Sequence, residues 1–302
     1  MNTGHGHHAD ERVFELSSGL RVAARVHHAG APHRVLAVHG WLDNAASFDA
    51  LAACLPECEI VAVDLPGPGR SDHRPPGTWY HQVDYLHELV SVLDQLGWAR
   101  STWFGHSLGG GLLAMLAAAL PERVQRLVLV ESLGLLGGDA ASAPDRLRQG
   151  LLDRAAAAGK TLRVFADLDV AVQARRAAGG LTQDAAQRLV ERGARAGDGG
   201  WVWSSDPRLR LATSVRSDES HIRAWLAAIE CPVLVLLADP PPPFLPRELA
   251  AARLACLRDA RMHALPGSHH LHMETPQVLA SYIGAFMAAT SFTSTPSGSR
   301  AD

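Results

Sequence analysis

No run of roughly eighteen apolar residues, the length a helix needs to cross a bilayer, occurs in this 302-residue chain. Nor is there an apolar leader: Met1 to Asp10 is polar and rich in histidine, which is not the composition of a secretory signal. A cytoplasmic protein with no membrane span is the expectation. Excess charge is missing too. Lys and Arg total 28 against 31 Asp and Glu, for a net charge of −3, so nothing selects nucleic acid or an anionic membrane as partner. Cysteine is scarce and wrongly spaced for metal. Cys54, Cys58, Cys231 and Cys256 have no second Cys or His pair at finger spacing. Reduced thiols are expected, and neither a metal nor a cofactor. His5, His7 and His8 read as a solvated arm, and no internal repeat appears.

What the chain does have is a rhythm of short apolar runs. Its 47% hydrophobic and 20% charged residues are the mix of a globular domain, and the length suits one large α/β domain with an insertion. Residues 11–30 alternate apolar and polar around Ser17-Ser18-Gly19, a β-hairpin pattern. Then continuous runs take over: Val35–Val38, Ile60–Val63, Ser101–Phe104, Leu127–Val130 and Val233–Leu237. Such runs suit parallel strands buried on both faces. Helical patterns at 45–56, 81–97 and 110–120 separate them, which predicts a mostly parallel, doubly wound α/β sheet. After Val130 the rhythm stops. Residues 134–226 show no convincing buried strand, but Arg- and Ala-rich helical segments such as Gln183–Arg195 and a loop at Gly199-Gly200-Trp201-Val202-Trp203. The expected organisation is a core of 12–133 and 227–290, a helical cap of 134–226, and disordered tails at 1–11 and 291–302.

Gly105-His106-Ser107-Leu108-Gly109 lies between the run Ser101–Phe104 and the Ala- and Leu-rich stretch Gly110–Leu120. Strand, tight turn and helix make this G-x-S-x-G pattern the mark of a nucleophile elbow. The serine is held there on strained backbone, with glycine where a side chain would clash. It needs a base, an acid to orient the base, and oxyanion donors.

The last apolar run, Met262–Leu265, leads into Pro266-Gly267-Ser268-His269-His270-Leu271-His272. His269 comes first after the small turn, where the chain leaves the sheet near the elbow, and is the expected base. His272 falls inside the next helical turn. Two slots are open for the acid. Asp239 ends the penultimate strand, but Pro240 to Pro243 follow it, a stiff loop with no other carboxylate. Glu131 ends the strand after the elbow helix, where the functional groups of parallel sheets gather. It is the preferred acid, with Asp239 left to a structural role at the strand end. The oxyanion donors are the backbone N–H groups of Leu108, at a helix N-terminus, and of Trp41, which Gly40 lets the backbone turn inward. The Trp41 side chain walls the pocket or fills core. Trp201, Trp203 and Trp225 line an apolar pocket or pack the cap.

In this order His39-Gly40-Trp41, Asp64-Leu65-Pro66-Gly67-Pro68-Gly69-Arg70-Ser71, Gly105 to Gly110 and His269 resemble the α/β-hydrolase superfamily, over residues 12–290. Gly40-Trp41-Leu42-Asp43-Asn44-Ala45-Ala46-Ser47-Phe48 resembles its serine hydrolase-like branch. The resemblance implies an α/β-hydrolase fold and the chain order nucleophile, acid, histidine. It also implies a histidine about seven residues before a proline, which Pro276 provides for His269. The common acid stands about 28 residues before the histidine, where this chain has Pro241. Some relatives, a group of haloalkane dehalogenases among them, use a carboxylate about 24 residues after the nucleophile, which here is Glu131. Pro68 departs from the His often found in the Asp-x-x-Gly-x-Gly turn, where Asp64 and Arg70 are structural. A serine nucleophile argues against dehalogenase and epoxide hydrolase chemistry, which resembles attack by Asp.

The expectation is a serine hydrolase with Ser107 as nucleophile, His269 as base and Glu131 as acid, acting on a small, apolar acyl substrate. A carboxylic ester asks least of the leaving group, while thioesters, lactones and C–C cleavage stay open on this fold. The alternative from another class is a small-molecule receptor that catalyses slowly or not at all.

Overall fold

The structure, a computed structural model, describes residues 9–157 and 163–289. Its strands are β1 (Asp10–Glu15), β2 (Arg21–His27), β3 (His33–Val38), β4 (Cys58–Val63), β5 (Ser101–His106), β6 (Val124–Val130), β7 (Ala194–Gly197), β8 (Gly200–Trp203), β9 (Val233–Asp239) and β10 (Ala260–Pro266). Eight of them form one sheet in the order β1-β2-β4-β3-β5-β6-β9-β10. β1 and β2 form an antiparallel hairpin, and β2 pairs antiparallel with β4. Every pairing from β4 through β10 is parallel.

Strand alternation divides the apolar runs between two cores. Leu36, Val38, Val61, Val63, Trp103, Leu127 and Leu129 point to one face, against the helices Gln82–Leu96, Leu108–Ala119 and Glu219–Ala228. Val35, Ala37, Ile60, Ala62, Phe104, Val128 and Val130 point to the other, against Asp49–Ala52 and Pro276–Ala288. Burial on both faces is why these strands carry no polar alternation. The expected helix at 45–56 is shorter: a 3₁₀ turn, Ala45–Phe48, started by the Asn44 side chain accepting from Ala46 N–H at 3.1 Å, leads into the single turn Asp49–Ala52.

A helical insertion separates β6 from β9, which lie side by side in the sheet. It holds the helices Ala143–Ala157, Leu168–Gly179 and Gln183–Gly193. It also holds the hairpin β7–β8, which the sequence reading leaves as a loop. These strands are four residues each, too short for a period to show, and they turn through Gly199 at φ +80°. Phe165 extends the hairpin by bonding Trp201 in both directions, at 2.8 and 2.7 Å. Trp201 and Trp203 pack on Phe165, Val172, Leu189 and Val190, and Trp225 packs toward the sheet. All three tryptophans are therefore half-buried and packed against the cores, and none lines the cleft.

Two readings of the boundaries are corrected. Asp10 and Glu11, placed in a disordered tail, pair with Val26 and Arg25 in β1. The helix Glu219–Ala228 runs across the 226/227 division. The rest of the tails, 1–8 and 290–302, lies outside the described residues.

One buried ion pair ties the insertion to the sheet. Asp64 follows β4 and is fully buried. Its carboxylate accepts the N–H groups of Ala45 and Arg70 at 2.6 and 2.8 Å. Arg192 Nε, from the insertion, donates to the same carboxylate at 2.9 Å, and Arg192 Nη1 reaches Glu11 at 2.7 Å. Asp64 is structural, as expected from its turn. Among the described residues no helix is long and apolar enough to cross a membrane.

Candidate active site

β5, β6 and β10 end on the same edge of the sheet, at His106, Val130 and Pro266. The residues that follow them therefore converge. Ser107 turns the chain from β5 into the helix Leu108–Ala119 with φ 49° and ψ −115°, a conformation side chains seldom adopt. Close packing enforces it. A Cβ on Gly109 would stand 2.1 Å from Val38 O, and one on Gly105 would stand 2.4 Å from Gly110 Cα. Ser107 N–H donates to Val130 O at 3.0 Å, locking the turn to β6.

Glu131 has no exposed surface and also sits at positive φ, 53°. Its backbone N–H donates to Leu236 O at 2.9 Å, which fixes the side chain between β6 and β9. Oε1 accepts the N–H of Ala238. Oε2 lies 3.2 Å from His269 Nδ1. A carboxylate can only accept, so Nδ1 carries the proton and Nε2 is left for the cleft. Asp239 makes no such approach: its side chain is half exposed and accepts from Arg247 Nη2 at 2.6 Å. The proline loop instead brings Phe244, whose ring stands edge-on to His269 at 5.3 Å and 88°.

Ser107, Leu108, Glu131, His269 and Trp41 all border one cleft of about 690 Å³. Leu133, Leu135, Leu209 and Phe244 make its wall largely apolar. Trp41 is 55% exposed, so its side chain walls the cleft and is not core. Its Nε1–H donates to Leu209 O of the insertion at 3.0 Å. Gly40 is needed for a reason other than backbone freedom. It has no positive φ, but a Cβ there would meet His106 Nδ1 at 2.7 Å.

His39 is a buried structural group. Its Nδ1–H donates to Gly40 O at 2.7 Å and its Nε2 accepts Leu65 N–H at 3.0 Å, and burial lowers its pKa. His272 lies in the turn Leu271–Glu274, fully buried against the rings of His106 at 4.2 Å and Phe48 at 5.3 Å. Burial holds it well below the usual imidazole range.

A buried polar group that no sequence motif marks lies behind the catalytic edge. Asp43 is 2% exposed. Its Oδ1 pairs with Arg175 at 2.5 Å, and its Oδ2 lies 3.4 Å from His106 Nδ1 and 3.5 Å from His270 Nε2. His106 Nε2–H donates to His269 O at 2.8 Å, and burial pushes its pKa down to about 4. The available signal is the crowding of His106 beside Ser107 and of His270 beside His269. Only the fold brings Asp43 to both.

This sheet order, with its elbow serine and buried Glu–His pair, defines a class, and the chain belongs to the alpha/beta hydrolase fold family, whose model matches residues 33–276. In particular it is similar to the serine hydrolase-like protein of Danio rerio, at 30% identity over 84% of this chain and 81% of that protein. It is also similar to serine hydrolase-like protein 2 of Homo sapiens, at 28% identity over 85% and 87%. Among solved structures, a hypothetical protein of Pseudomonas aeruginosa PAO1 is 36% identical, with a TM-score of 0.86 over 93% of this chain and 100% of that one. The thioesterase domain from the curacin biosynthetic pathway shares the fold at 24% identity, with a TM-score of 0.83 over 92% and 99%.

Proposed function

We propose that this protein is a serine hydrolase that cleaves a small carboxylic ester through an acyl-enzyme on Ser107. The observation that carries the reading is the buried Glu131 carboxylate 3.2 Å from His269 Nδ1, bordering the cleft that Ser107 borders. In this mechanism Ser107 Oγ attacks the carbonyl carbon while His269 Nε2 takes its proton. Glu131 holds the imidazole in the Nδ1–H tautomer and stabilises the imidazolium. The N–H groups of Trp41 and Leu108 receive the oxyanion, and removing such a donor costs roughly 2.7–4 kcal/mol in the barrier. The tetrahedral intermediate expels the alcohol, which takes the proton from His269. Water activated by the same imidazole then releases the acid and restores Ser107. This sequence requires no metal or cofactor.

The apolar part of the wall, at Leu133, Leu135, Leu209 and Phe244, favours an apolar acyl chain. The insertion serves as the cap, with Leu209 and the Trp41 indole closing one side. The free Cys54, Cys58, Cys231 and Cys256 fit a cytoplasmic, reducing setting. A fluorophosphonate probe and a p-nitrophenyl ester series of increasing acyl length test the proposal. The wild type is labelled and turns over at least one ester, Ser107→Ala does neither, and His269→Ala reacts far more slowly. A folded wild type that resists the probe and leaves every ester intact is a receptor, not a hydrolase.

A further inference from the structure

We propose that Asp43, His106 and His270 form a site for one divalent transition-metal ion of the zinc type, reached from the cleft. Asp43 Oδ2 lies 3.4 Å from His106 Nδ1 and 3.5 Å from His270 Nε2, and the three atoms all lie within 4.8 Å of one another. A tetrahedral ion with bonds of about 2.0–2.1 Å needs ligand separations of about 3.3 Å, so two of the three edges are already formed.

The protonation pattern points to a cation. His106 Nε2 faces the carbonyl oxygen of His269 at 2.8 Å and so must carry the ring proton. Nδ1 is then a bare lone pair, buried and without a hydrogen-bond partner, and it faces a carboxylate oxygen. Two acceptors opposed across a buried gap repel unless a positive centre joins them.

The surroundings are those of a metal ligand set. His106 gives its distal N–H to a backbone carbonyl, and the far oxygen of Asp43 is held by Arg175 at 2.5 Å. Outer partners of this kind orient imidazole and carboxylate ligands. Two imidazoles and one carboxylate suit zinc and its first-row neighbours, whereas calcium and magnesium prefer sites made mainly of oxygen. Asp43, His106 and His270 all border the cleft, which provides an entry path and room for a fourth ligand such as water. The site makes no demand on the chemistry of Ser107.

The test uses the full chain with His5, His7 and His8 changed to Gln, so that imidazoles outside the proposed site do not compete for the metal. Cobalt(II) stands in for zinc. One equivalent is expected to give the intense visible bands of a four-coordinate site, and zinc is expected to displace it. His270→Gln and Asp43→Asn should each weaken binding by more than the roughly 10–100-fold that loss of an outer partner costs. Pale six-coordinate cobalt, no uptake, or bands that survive both substitutions would overturn the proposal. Circular dichroism checks that the variants fold. If neither folds, a zinc-soaked crystal decides: anomalous density among the three named atoms supports the site, and density elsewhere or none refutes it.

Discussion

His269 Nδ1 and Glu131 Oε2 face each other across 3.2 Å, while the second oxygen of the same carboxylate accepts the Ala238 amide. The carboxylate is thus fixed by the sheet on one side and orients the imidazole with the other. On the proposed mechanism its position after β6 supplies the carboxylate that the proline-filled loop after β9 does not bring to His269.

Glu131→Gln removes the charge and disturbs the Nδ1–H tautomer. Its kcat on a p-nitrophenyl ester is expected to fall by roughly 10³–10⁴, the scale seen when a triad acid becomes its amide. Asp239→Asn should stay within a few-fold of wild type, since Asp239 pairs with Arg247 at the surface. Steady-state kinetics on both variants checks this, and the reverse ranking would move the acid to Asp239.

Phe244 meets His269 edge-on, a contact worth about 0.5–1.5 kcal/mol in aromatic pairs. Phe244→Ala should loosen the imidazole and lower kcat several-fold, with Phe244→Tyr near wild type. An unchanged kcat in the alanine variant would make the ring a passive part of the wall.

Gly109→Ala tests the elbow. Its Cβ would press on Val38 O, a backbone atom of β3, where no side chain can swing aside. The loss of stability should be at least about 1–3 kcal/mol, the usual range for overpacking, read as a lower urea midpoint.

Arg192→Leu leaves Asp64 buried without its cation. Breaking one half of such a pair costs roughly 3–5 kcal/mol, and urea unfolding should show a loss of that order. Glu11→Gln removes only a half-exposed partner of the same arginine, so about 0–1 kcal/mol is expected.

The thiols of Cys58 and Cys231 are pushed up to about 11 and about 12 by burial. Both are therefore protonated and inert at pH 8. Iodoacetamide followed by peptide mass spectrometry should leave both unmodified in the native protein and modify both in urea.

The sheet was legible because strands buried on both faces must be apolar throughout, and Val35–Val38, Ile60–Val63 and Leu127–Val130 are. The proximity of Ser107, Glu131 and His269 was legible because Ser107 and Glu131 directly follow β5 and β6 and His269 comes shortly after β10, and sheet topology brings those strand ends together. Asp43 was not, because it belongs to no strand end or periodic element. Its partners lie 63 and 227 positions along the chain, at His106 and His270. Gly40 was understood in part only: the residue type matters, but through the space His106 occupies and not through φ. The hairpin β7–β8 escaped because eight residues around a glycine turn do not distinguish a strand pair from a loop.

Because β6 and β9 are parallel neighbours, the chain leaves the catalytic edge after Val130 and crosses to the opposite edge before Val233, and the helix Glu219–Ala228 makes that crossing against the sheet face. Evolution can therefore lengthen, shorten or exchange what precedes that helix without re-registering a single strand. The seams to rebuild are Arg192 on Asp64, Arg175 on Asp43 and Leu209 under the Trp41 indole, so grafts that keep these partners are the natural starting library for changing what the cleft accepts.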